Sequence, residues 1–137
     1  MKVREKIDDP GEIEKIKEAS RSRRPCSALW KTPVIVWDGT LTICCFDGMM
    51  NLALGNVKDK SFKELWYGRD ADVIRLHHIR GEFDLIRTRY GYQKCLFCRG
   101  YDIPTISDDE IIHYLKCIGK EEEIEPYLER IKADENR

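Results

Sequence analysis

Residues 34–46 read Val34-Ile35-Val36-Trp37-Asp38-Gly39-Thr40-Leu41-Thr42-Ile43-Cys44-Cys45-Phe46. β-Branched and aromatic residues fill both halves and Asp38-Gly39 interrupts them, which predicts a β-hairpin with strands over 34–37 and 41–46. Asp-Gly favours a type I′ turn, in which both central residues take positive φ. The second strand carries two adjacent cysteines, and successive strand side chains face opposite ways. Cys44 and Cys45 therefore do not both reach one metal from a regular strand. One is a ligand candidate and the other reads as a buried apolar thiol. Beyond the hairpin, Asn51 to Val57 supplies another short strand or extended turn, with Gly55-Asn56 as a break.

Working outward from Cys44, Cys26 lies on the N-terminal side with seventeen residues between, and Cys95 and Cys98 form a Cys-x-x-Cys about fifty residues later. Four thiolates saturate either Zn²⁺ or a [4Fe–4S] cube, and soft sulfur ligands accept both. A zinc ribbon would use two Cys-x-x-Cys pairs, and this chain has one. A redox dithiol at Cys95 and Cys98 is the other reading of that motif, but the βαβ context of a thioredoxin-like site is missing. Cys117 falls beside Tyr114 and Ile118 on a predicted helix and is assigned to the core.

The chain has 137 residues, a net charge of −1 and 36% charged residues, so no global field favours nucleic acid or a membrane surface. A chain of this size forms one domain or one domain with helical extensions. Transmembrane helices need roughly 18 or more consecutive apolar residues, and no such run occurs. The segment MKVREKIDDPGEIEKIKEAS is charged throughout and has no signal-peptide hydrophobic region. These features point to the cytoplasm, where thiols stay reduced and disulfides are rare. The six cysteines are then ligands and buried thiols rather than bridges.

Helical signals flank the hairpin. Residues 11–22 have weak periodicity and form a helix only in context. Ser61-Phe62-Lys63-Glu64 matches a capping box for a short helix ending near Trp66. A second helix runs from Asp70 or Asp72 to Arg80 and stops at Gly81. Residues 82–106 lack a period and have few apolar anchors, which suggests a loop around the Cys-x-x-Cys held chiefly by metal. Ser107-Asp108-Asp109-Glu110 is a second capping box, opening a helix through Ile118 that Gly119 ends. Lys120 to Glu123 is a solvated charge run, and Pro126 fits the first turn of a last helix carrying Tyr127, Leu128 and Ile131. The fold class is α+β: a hairpin with a short third strand and flanking helices around a four-cysteine metal site, with a C-terminal helical extension.

Other candidate residues have plainer roles. His77 and His78 are neighbours on one helix and face apart, so one packs and the other meets solvent. Asp38 and Asp47 are assigned to turn formation and hairpin capping rather than acid–base work. Trp30, Trp37 and Trp66 are assigned to the core or to shielding of a cluster. Arg21, Arg23 and Arg24 are expected to be solvated.

Several of these motifs together resemble the SPASM/twitch domain of radical SAM enzymes. They are Cys26-Ser27-Ala28-Leu29-Trp30, Val34 to Gly39, Cys44-Cys45-Phe46-Asp47, Leu54-Gly55-Asn56-Val57, Ser61 to Trp66 and Cys95-Leu96-Phe97-Cys98. That family opens with Cys, nine to fifteen residues, Gly, four residues, Cys; here Cys26, twelve residues, Gly39, four residues and Cys44 satisfy it. The resemblance divides the chain into a charged N-terminal segment (1–24), a cluster-binding domain (25–101) and a C-terminal helical extension (102–137). It implies one auxiliary [4Fe–4S] cluster on Cys26, Cys44, Cys95 and Cys98, serving electron transfer or docking of a peptide substrate beside a radical SAM barrel. The family's further cysteines are represented after Cys98 by Cys117 alone, which fits the one-cluster arrangement. No Cys-x-x-x-Cys-x-x-Cys occurs, so the chain is not expected to cleave S-adenosylmethionine or to catalyse alone. The competing reading is a structural module in which the same four thiolates hold Zn²⁺.

Overall fold

The computed structural model describes residues 9–45, 47, 50–86, 94–98 and 105–135. The hairpin forms, but it is shorter than its composition predicts. Strand β1 (Val34–Ile35) pairs antiparallel with β2 (Thr40–Thr42), placing Val34 opposite Thr42 and Ile35 opposite Leu41. The turn also differs from a type I′ turn. The Gly39 N–H donates to the Val36 carbonyl at 2.9 Å and the Val36 N–H to the Thr40 carbonyl at 3.0 Å. Gly39 has φ 91°, while Asp38 is not at positive φ. This is a three-residue loop with glycine in the left-handed position. The Asp38 carboxylate accepts the Thr40 N–H at 2.9 Å, and that bond holds its pKa below the usual carboxylate range.

Strand β2 ends at Thr42 because the chain turns around Asp47. This buried carboxylate accepts from the Thr42 hydroxyl at 2.6 Å, the Leu52 N–H at 2.6 Å and the Asn51 N–H at 2.8 Å. Asp38 and Asp47 thus act in turn formation and capping, as the sequence predicts. Phe46, assigned to the second strand, lies outside the described residues.

Strand β3 (Ala53–Asn56) completes the sheet in the order β1-β2-β3 and is antiparallel to β2, with a register irregularity between Leu41 and Thr42. Gly55 is therefore inside the strand, opposite Leu41, rather than a break. It has φ 143°, and a Cβ built there would meet Leu65 Cδ2 at 2.8 Å. Both the backbone and the helix behind it demand glycine. Gly55→Ala is expected to cost about 2 kcal/mol through strain and overpacking. Urea unfolding measures this cost, and an unchanged midpoint would show that β3 and Leu65 give way freely.

The helices follow their local signals. Asp9 caps α1 (Pro10–Ser20) through the Gly11 N–H. After α2 (Ala28–Lys31), the Ser61/Glu64 capping box opens α3 (Phe62–Trp66) and packs Leu65 and Trp66 inward. Helix α4 (Arg69–Arg80) ends at Gly81, whose φ of 73° lets the Glu82 N–H return to the His77 carbonyl at 2.8 Å. Helix α5 (Lys94–Phe97) is one turn carrying Cys95. The Ser107/Glu110 capping box opens α6 (Asp108–Cys117), and a 3₁₀ turn at Glu121–Glu123 leads into α7 (Ile124–Glu135).

One apolar cluster lies beneath the sheet and includes Leu29, Leu41, Ile43, Leu54, Leu65, Trp66, Phe83 and Leu96. A second joins Ile79 of α4 to Ile106, Ile111, Leu115, Tyr127 and Ile131. Trp30 touches both, meeting Tyr114 edge-on at a ring distance of 5.4 Å.

Two arginines tie these layers together. Arg75, 2% exposed, donates to the Leu29 carbonyl at 2.9 Å, the Trp66 carbonyl at 2.8 Å and the Asp72 carboxylate at 3.2 Å. Its guanidinium also lies 4.8 Å from the Trp66 ring centre. Arg130 of α7 donates to the carbonyls of His78 and Ile79 at the end of α4 and to those of Arg21 and Arg23. It thereby joins the last turn of α4 to the segment that precedes Cys26.

Two expectations fail here. Trp37 is 97% exposed at the hairpin tip, neither core nor shield. The three-residue loop projects it past the sheet, where nothing described covers it. The segment after α4 is also better anchored than its lack of period suggests. Phe83, Ile86, Leu96 and Ile106 are all buried, so apolar packing as well as any metal holds residues on both sides of the Cys-x-x-Cys. The remainder of that expected loop, residues 87–93 and 99–104, lies outside the described residues.

Candidate metal centre

Three separate stretches deliver the four cysteines. Cys26 precedes α2 in an isolated bridge to Thr105, and its N–H donates to His78 Nδ1 at 3.3 Å. Cys44 is buried just beyond β2, at the entry to the Asp47 turn. Cys95 is buried in α5, and Cys98 follows one turn later, its N–H donating to the Cys95 carbonyl at 3.3 Å. Helix α5 packs on α1, and Ile16 of α1 joins the core beneath the sheet, so the weak N-terminal helix gains its context from this contact.

Burial and nearby charges act on two of these thiols. Burial pushes the Cys95 thiol up to about 12; Cys44 pushes it further, as do Cys98 and Cys26, while Arg23 opposes them. Burial also raises Cys26, with the Ala28 backbone N–H and Arg23 opposing it and Cys98 and Cys45 adding to the rise. Among the described residues, no group of three or more histidine, cysteine or carboxylate side chains stands in an arrangement that would hold a metal ion. The donor chemistry nonetheless fits a thiophilic centre: four free cysteines on three stretches of chain, two of them buried.

The surrounding residues are more specific than the sequence suggests. His78 is fully buried, packs edge-on against Phe83 at 4.6 Å and accepts the Cys26 N–H. Burial, then the nearby Arg23, His77 and Arg130, hold its pKa well below the ordinary histidine value, so it is neutral. With Nδ1 accepting, the proton sits on Nε2, which has no hydrogen-bond partner among the described residues. His77 is partly exposed beside Glu82, so the divided roles expected of the pair hold.

Arg23 is not simply solvated. It donates to the Cys95 carbonyl at 2.7 Å, and its guanidinium lies 4.4 Å from the Phe83 ring centre. Arg24 is also engaged, pairing with Asp108 at 2.7 Å. Charge and position before Cys26 were visible in the sequence, but the partner lies 72 residues away. No local signal marks His78 as the support of Cys26.

The two remaining cysteines depart from their assigned places. Cys45 is exposed rather than buried, because the chain has left the strand and is turning at that point. Cys117 is likewise exposed at the end of α6, with its sulfur 3.5 Å from His113 Nε2. The core face of α6 is carried by Ile111 and Leu115, which leaves position 117 outside.

A family model for the SPASM domain, an iron–sulfur cluster-binding domain, matches residues 26–99. The match covers more than half of the chain and begins on Cys26, and the chain belongs to this family of iron–sulfur cluster-binding domains. No curated protein and no solved structure shows significant similarity to it. Among the described residues, no helix is long and apolar enough to cross a membrane.

Proposed function

We propose that Cys26, Cys44, Cys95 and Cys98 hold one [4Fe–4S] cluster and that the chain is the auxiliary cluster module of a radical SAM-type system. The carrying observation is that the iron–sulfur family match over residues 26–99 takes in all four of these cysteines, of which Cys44 and Cys95 are buried. A bound cluster of this kind supplies one-electron chemistry or an anchoring point beside a substrate. The chain's own contribution is to fix the thiols. His78 and the Thr105 bridge position the Cys26 backbone, and Arg23 grips the carbonyl of Cys95.

Ligation requires the thiols to ionise, which releases protons and offsets the burial that now favours the neutral Cys95. The exposed Cys117 is the one cysteine after Cys98, which supports one cluster rather than two. Partners consistent with the resemblance are a radical SAM barrel and a peptide substrate, and free thiols suit a reducing cytoplasm.

Anaerobic purification followed by iron, sulfide and zinc analysis tests the reading. About four irons and four sulfides per chain are expected for a cube held by four cysteines. Colourless protein carrying one zinc would replace the proposal with a structural zinc module.

A further inference from the structure

We propose that Arg23 sets the charge environment of the cluster site and raises the reduction potential of a cluster held there. The inference rests on the cluster reading above. Three contacts fix the residue. Its side chain donates to the carbonyl of Cys95, its guanidinium lies against the buried Phe83 ring, and its own carbonyl accepts from Arg130 at 2.6 Å. Arg130 comes from α7, so the C-terminal helix holds this part of the site in place.

Among the arginines ahead of Cys26, Arg24 is paired with Asp108 and Arg21 is exposed. Among the described residues no carboxylate pairs with Arg23. Its charge is therefore not cancelled at short range, and the residue, three positions ahead of Cys26 in the chain, is held against the backbone of Cys95.

The physical consequence has a definite sign. One-electron reduction adds a negative charge to a thiolate-ligated cluster, and iron–sulfur potentials respond to local charge and solvent exposure. A guanidinium fixed on the backbone carbonyl of one proposed ligand favours the reduced form. The electron comes from an added reductant such as dithionite, and no bond at the ligands need break. Arg23 is a positioning and charge-setting residue here, not a catalytic one.

The test compares midpoint potentials of anaerobically loaded wild type, Arg23→Gln and Arg23→Lys. Glutamine can keep a hydrogen bond to the Cys95 carbonyl but removes the charge. Lysine keeps the charge and loses the planar contact with Phe83. Arg23→Gln is expected to become harder to reduce by about tenfold, or about 59 mV for one electron, with Arg23→Lys close to wild type. Equal potentials for Arg23→Gln and wild type at equal iron content would overturn the inference and leave the cluster reading intact.

If Arg23→Gln does not retain iron, Arg23→Lys decides alone. A midpoint within about threefold of wild type in equilibrium constant, about 28 mV, supports the role of charge, and a larger negative displacement overturns it. A wild-type chain that takes up no iron sinks the cluster reading itself.

Discussion

Cys95→Ser is expected to lose at least nine-tenths of the bound iron, whereas Cys45→Ser and Cys117→Ser retain it. Second-sphere changes at metal sites already cost roughly 10- to 100-fold in affinity, and loss of a central ligand should exceed that. Cys95 is the natural choice because it opens the Cys-x-x-Cys and is buried in α5. Cys45 and Cys117 are exposed, so serine there removes little packing. Iron counted after anaerobic desalting decides the matter. Full iron in Cys95→Ser, or its loss in Cys45→Ser, would reassign the ligand set.

The same variant separates the contribution of metal from that of packing. Structural zinc contributes about 10–16 kcal/mol to small peptides that have little else to hold them. This chain has more: Phe83, Ile86 and Leu96 are all buried in the core shared with the sheet. Amide exchange in the metal-free protein should therefore stay slow at those three positions, contrary to a loop held by metal alone.

Arg75→Leu is expected to destabilise the chain by about 4 kcal/mol, near the middle of the range for breaking a buried ionic group. Arg75 is 2% exposed, and its removal leaves the carbonyls of Leu29 and Trp66 without the partner they now have. Each buried acceptor left unsatisfied costs about 1–3 kcal/mol. Asp72 keeps its hydrogen bond from the Tyr114 hydroxyl, so the loss falls mainly on the two carbonyls. Domain stabilities of about 5–15 kcal/mol leave little margin for such a change. Arg75→Lys should recover only part of it, because an ammonium cannot reproduce the planar fork that serves three acceptors. Urea unfolding measures both variants. A loss below about 1 kcal/mol for Arg75→Leu would mean that the carbonyls find other partners or water.

The parts of this fold that were legible in the sequence are those whose causes are local. Ser61 and Ser107 each bond a backbone N–H three residues ahead, and Gly81 closes α4 through the next residue's amide. The resemblance to the family's opening signature brought Cys26, Gly39 and Cys44 into one pattern. The hairpin was legible as a hairpin, but its turn type depended on φ at Asp38, which the residue pair does not dictate. Long-range polar contacts were not legible. Arg23, Arg75 and Arg130 direct their guanidinium groups largely at backbone carbonyls, and every residue offers a carbonyl of the same kind. Trp37, Cys45 and Cys117 show the complementary failure: apolar character predicted burial, whereas a hairpin tip, a turn and the outer face of a helix left them exposed.

Mössbauer spectroscopy of the anaerobically iron-loaded wild-type chain is the most direct test of the central claim, that these four cysteines hold a [4Fe–4S] cluster. The expected spectrum is that of a diamagnetic cube accounting for nearly all the iron, and it should vanish in Cys95→Ser while surviving in Cys45→Ser. Iron found only as a mononuclear thiolate site, or a cube unaffected by Cys95→Ser, would contradict the account.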